Sequence, residues 1–129
     1  MVKEQLTDSM VQAGAELVAS LDDSDTPATA AFWLLEPEIA EWRLIIVTPK
    51  VSAQGPRKVY EEIQTALREL GDRASAAPFS VIALRAPESD LIRHLKVAIN
   101  TGPGIHRIRF SKDVVDGRFI DDALIYRVT

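Results

Sequence analysis

The stretch Ala28–Pro49, ATAAFWLLEPEIAEWRLIIVTP, decides the fold. Two apolar runs rich in strand-forming residues flank Glu36-Pro37-Glu38-Ile39-Ala40-Glu41, a pattern that predicts a β-hairpin with a loop of about four residues. If Glu36 opposes Glu41, then Trp33 faces Leu44, Leu35 faces Trp42, and all four point to one side of the sheet. Phe32, Leu34, Ile45 and Val47 point to the other. A hairpin apolar on both faces does not leave one of them in water without cost, because each large side chain buried contributes roughly 1.5–3 kcal/mol. Either other elements cover both faces, or one face meets a partner.

Outward from this hairpin the chain alternates between helix and strand signals. Upstream, Met10, Ala13, Gly14, Leu17, Val18 and Leu21 recur at helical spacing, with Thr7 or Asp8 as N-cap. The turn-forming LDDSDTPA then separates helix from strand. Downstream, GPRKVYEEIQTALREL places Val59, Tyr60, Ile63, Ala66, Leu67 and Leu70 on one arc, opens on Pro56 and closes on Gly71. FSVIALRA reads as a short strand. ESDLIRHLKVAIN reads as a third amphipathic helix, with Leu91, Ile92, Leu95, Ala98 and Ile99 on its core arc. The last 25 or so residues are strand again, with Asp116-Gly117 as a two-residue hairpin turn.

The order α-β-β-α-β-α-β-β(-β) predicts one α+β domain over residues 1–129: a single mixed sheet of five or six strands packed against helices. Strand-helix-strand units of right-handed crossover put the second and third helices on the same face.

Length and composition agree with one globular domain of 129 residues, 47% hydrophobic and 26% charged. The absence of cysteine removes disulfides, thiolate nucleophiles and thiolate metal sites, and fits a reducing cytoplasm. MVKEQLTDSM has polar groups where a secretory leader needs an apolar run, and no window reaches the length of a membrane span. These features predict a soluble cytoplasmic protein. The net charge of −4 disfavours nucleic acid as a partner. Residues 1–84 hold 7 Lys/Arg and 13 Asp/Glu, whereas residues 85–129 hold 8 and 6, so the basic groups gather toward the carboxyl end.

Asn100–Phe110, NTGPGIHRIRF, raises the question of a phosphate loop. Such a loop precedes a helix, so that free amides and the helix dipole meet the anion. Here the order is reversed, and Gly102 with Pro103 reads as the stop signal of a helix. In IHRIRFS, alternation puts His106, Ile108 and Phe110 on one side and Arg107 and Arg109 on the other. Arg127 on the last strand, with Leu124, Tyr126 and Val128 toward the core, would join them in an exposed basic patch able to grip phosphate or carboxylate. The competing reading pairs these arginines with Asp121, Asp122, Asp113 or Glu36 across strands.

No metal, cofactor or catalytic site is expected. His94 and His106 lack ligand spacing. Glu36, Glu41, Arg43, Asp121 and Asp122 only approximate a metal-dependent nuclease or hydrolase, and no nucleophilic-serine elbow exists. The expectation is therefore a non-catalytic protein-interaction or accessory module. Trp33, Trp42, Leu35 and Leu44 are its candidate interface, facing a protein partner or a second copy. Anionic-ligand or nucleic-acid binding by Arg107, Arg109 and Arg127 is the alternative.

Overall fold

The computed structural model describes residues 5–129, so the amino-terminal reading of MVKEQLTDSM falls partly outside the described residues. The elements in chain order are α1 (Asp8–Asp22), β1 (Ala30–Glu36), β2 (Glu41–Val47), α2 (Lys50–Gln54), α3 (Pro56–Leu70), β3 (Ile82–Arg85), α4 (Asp90–Ala98), β4 (Ile108–Val115) and β5 (Arg118–Val128). Thr7 caps α1, its hydroxyl accepting from the amide of Met10 at 3.1 Å. Pro56 opens α3 and Gly71, at positive φ, ends it.

The strands form one mixed sheet in the order β3-β2-β1-β5-β4. The central hairpin has the expected register, with Glu36 opposite Glu41, Trp33 opposite Leu44 and Leu35 opposite Trp42. β2 and β3 run parallel, joined by the α2–α3 crossover, and the other pairs are antiparallel.

Both faces of the hairpin are covered. Trp33, Leu35, Trp42, Leu44 and Ile46 pack with Leu124 and Tyr126 beneath α1 and α3, which contribute Leu17, Val18, Leu21, Val59 and Ile63. Phe32, Ile45 and Val47 pack with Ala123, Ile125 and Val128 beneath α4, which contributes Leu91, Ile92 and Leu95. The four candidate interface residues are thus core residues: Trp33 is 0% exposed, Trp42 2%, and Leu35 and Leu44 are equally buried. The hairpin's two-sided apolarity reflects a central position in a three-layer domain.

The helices do not share a face as expected. α3 lies on the Trp33 side and α4 on the Phe32 side. β3 and β4 sit at opposite edges, and the chain of pairings makes them antiparallel. The handedness rule for parallel crossovers therefore places no constraint on the connection that carries α4. Two boundaries also differ from the sequence pattern. Phe79–Val81 is a 3-10 turn, leaving only Ile82–Arg85 as strand, and α4 stops at Ala98, so that Gly102 (φ 72°) lies in the following loop.

That loop has a structural role. Thr101 and His106 donate their amides to the carbonyls of Val128 and Tyr126 at 2.9 and 2.7 Å, pairing the end of β5 that β4 does not reach. NTGPG thus runs beside the last strand.

Candidate functional site

The arginines do not assemble into an open basic patch. A register shift in the β1–β5 pairing sets Ala31 opposite Arg127 and Phe32 opposite Ile125, leaving Tyr126 as an extra residue. Such a bulge overrides simple alternation. Tyr126 and Arg127 both turn toward α1, while Val128 joins the opposite layer. Arg127 is 6% exposed and grips Asp22, the last residue of α1, with both terminal nitrogens at 2.7 Å. It also donates to the carbonyls of Ala28 and Gly104 at 2.9 and 2.8 Å. The Asp22 carboxylate beside it raises its pKa further. Its donors are committed to tying β5, α1 and the Gly104 loop together.

Arg109 makes the cross-strand pair that sheet faces favour. Its Nε and Nη2 donate to the two carboxylate oxygens of Asp122 at 2.6 and 2.7 Å, and its guanidinium lies 5.4 Å from the Trp42 ring centroid. Burial works against ionisation of Asp122, but hydrogen bonds from Arg109 and Ser111 prevail and hold its pKa below the ordinary value. Arg107 donates to the side-chain oxygen of Gln12 at 2.9 Å. The three arginines thus go to three separate places. The carboxylates of the nuclease alternative are dispersed likewise: Glu41 pairs with Arg43, and Asp122 with Arg109. Among the described residues, no cluster of three His, Asp or Glu side chains is placed to hold a metal ion.

The sheet's edges are partly closed to strand addition. On β3, the amide of Ile82 donates to the carbonyl of Phe79, and that of Leu84 to the hydroxyl of Tyr60 at 3.2 Å. On β4, Lys112 bends the backbone at φ 49°, and the Asp113 carboxylate takes the amide of Val114 at 2.8 Å. Side chains that occupy outward amides, together with a local kink, blunt an edge against pairing with another chain.

What stands open is the far half of the β4–β5 hairpin. Val115 and Ile120 point inward and join the layer beneath α4. Alternation then sends Val114 and Phe119 outward, directly opposite one another across the hairpin. They are 62% and 59% exposed, among the most exposed large apolar side chains described. Asp116 (φ 50°) and Gly117 (φ 78°) make the turn with both central residues left-handed, matching the twist of the strands. The turn is anchored, because a carboxylate oxygen of Asp116 lies 3.0 Å from Nδ1 of His94 on α4. Beside Phe119 a groove runs to the β1–β2 turn, lined among others by Leu34, Pro37, Leu91 and Arg118.

Val114 and Phe119 were not among the residues singled out from sequence, although the signal was present. VVDGRFI carries an apolar doublet on each strand of a tight hairpin. When one member of each doublet faces the core, alternation turns the other to solvent.

No family model matches the chain, and no curated protein or solved structure matches it either. No helix among the described residues is long and apolar enough to cross a membrane.

Proposed function

We propose that the protein is a non-catalytic interaction module that docks through the outward face of the β4–β5 hairpin. The observation that carries this reading is the Val114–Phe119 pair. It consists of two large apolar side chains in direct cross-strand register, exposed on a hairpin whose other face is packed and whose turn is held to α4. A rigid aromatic anchor costs little ordering entropy when it is covered, which is why such residues dominate binding energies.

The interaction reading thus moves from the first hairpin to the last. Trp33 and Trp42 serve the core, and the residues available for contact are Val114, Phe119 and their charged neighbours. Selection of binders from a displayed library of random peptides tests it. Peptides enriched on the wild-type chain are expected to lose at least about tenfold in affinity on Phe119→Ser, as for an interface anchor. Peptides that bind equally well to the variant would remove the reading.

A further inference from the structure

We propose that a second surface, the trough between α3 and residues 74–82, holds an extended acidic peptide of a partner protein. It lies by β3, at the edge of the sheet opposite the β4–β5 hairpin. Two grooves, of about 540 and 410 Å³, meet at Phe79, which lines both. Arg57 and Tyr60 of α3 line the first, and Gln64, Leu67 and Arg68 line the second. At about 100° per residue these five positions fall within roughly a third of the helix circumference, so the grooves form one trough along one side of α3.

The trough is apolar in the middle and basic at both ends. Phe79 is 37% exposed and stands edge-on to Tyr60, with ring centroids 5.5 Å apart and planes at 76°. Among the described residues that line the trough, the charged ones are Arg57 and Arg68 alone, on a chain whose net charge is −4. Both are held more loosely than Arg109 and Arg127. The Arg57 side chain is 94% exposed, and its surface contact with Glu61 at 3.7 Å contributes little. Arg68 gives one terminal nitrogen to a neutral partner, the hydroxyl of Thr65, at 3.2 Å. The carbonyl end of α3 lies near Arg68 and repels anions, so Arg57, at the positive end, is the stronger contact.

This pattern selects the occupant. The arginines call for carboxylates, and the aromatic centre for an apolar or proline side chain. They stand about 16 Å apart along the helix, and an extended chain advances roughly 3.3 Å per residue, so carboxylates about four to six residues apart reach both. A nucleic-acid strand needs a continuous line of cations, and the net negative charge of the chain opposes it. The Tyr60 hydroxyl takes the amide of Leu84, so the peptide docks through side chains and does not extend the sheet.

Selection from a displayed library of random peptides on the Phe119→Ser chain, which takes the hairpin face out of competition, tests the proposal. Enriched peptides are expected to carry two acidic residues about four to six positions apart around an apolar one. Synthetic copies are expected to bind more weakly as salt rises from roughly 50 to 500 mM. Arg57→Gln and Arg68→Gln together are expected to cost at least about tenfold in affinity. Both positions are exposed, so the urea midpoint should stay nearly unchanged. Phe79→Ala is expected to weaken the same peptides, with its midpoint recorded because the ring also packs on Tyr60.

Absence of enrichment, peptides without the acidic pair, or affinity indifferent to salt, to the arginine substitutions or to Phe79→Ala overturns the proposal. A single-stranded oligonucleotide that binds more tightly than the peptides and is lost on the same arginine substitutions assigns the trough to nucleic acid and overturns it too. Because the selecting chain lacks Phe119, each of these results leaves the hairpin reading untouched.

Discussion

Trp33 donates its indole N–H to the hydroxyl of Tyr126 at 2.8 Å, joining residues 93 positions apart in the middle of the sheet. The same hydroxyl donates to the carbonyl of Val11 and so fastens α1 to the strands. The contact depends on Gly14. A Cβ there would collide with the Tyr126 hydroxyl and come within 2.8 Å of the Trp33 indole nitrogen. The approach of helix to sheet is therefore set by the missing side chain.

Gly14→Ala should destabilise the domain by about 1–3 kcal/mol, since overpacking outweighs alanine's better helix propensity. Urea denaturation checks this. An unchanged or raised midpoint would show that α1 shifts freely on the sheet.

Tyr126 also predicts behaviour at high pH. Burial, only partly offset by the Trp33 hydrogen bond, raises its pKa well above the ordinary value near 10. A group whose folded pKa is raised stabilises fully below its unfolded pKa, and that contribution is lost as pH rises toward the folded value. Stability should thus fall from about pH 10 upward beyond what exposed groups explain. Tyr126→Phe should flatten this slope while costing about 1–3 kcal/mol at neutral pH, because the indole and the Val11 carbonyl lose their partner. Denaturation midpoints of both chains between pH 8 and 11 give the comparison.

Asp22→Asn should destabilise by about 1–3 kcal/mol, less than a fully buried pair would lose, because the Asp22 side chain keeps 31% exposure. Arg127 would retain the Ala28 and Gly104 carbonyls as acceptors. Thermal melts check the magnitude. A loss near zero would mean that the arginine does not hold α1 to β5.

Much of this arrangement was legible in the residues. The Glu36–Glu41 register, the facing of Trp33 and Leu44, the three main helices and the Asp116-Gly117 turn all follow from hydrophobic period and turn chemistry. What escaped depends on contacts between distant segments. The extra residue at Tyr126 reverses the side on which Arg127 lies, and no local pattern announces a bulge that a neighbouring strand creates. The burial of both tryptophans depended on which helices reach which face, and sheet order decides that. Arg109 found one of the acids expected of it, Asp122, whereas Arg127 found Asp22 across 105 positions. The exposure of Val114 and Phe119 escapes for a different reason. In VVDGRFI the turn is the dominant local signal, and the two apolar doublets expose a valine and a phenylalanine only once the other member of each is placed in the core.

The central claim is that Phe119 and Val114 form a recognition surface and carry little of the fold. Substituting side chains this exposed should change stability by no more than about 0.5 kcal/mol. The decisive measurement is the affinity of library-selected peptides for the wild-type and Phe119→Ser chains, with urea midpoints recorded in parallel. The account predicts at least about a tenfold loss of affinity with unchanged stability. Unchanged affinity, or a loss that only accompanies unfolding, would contradict it.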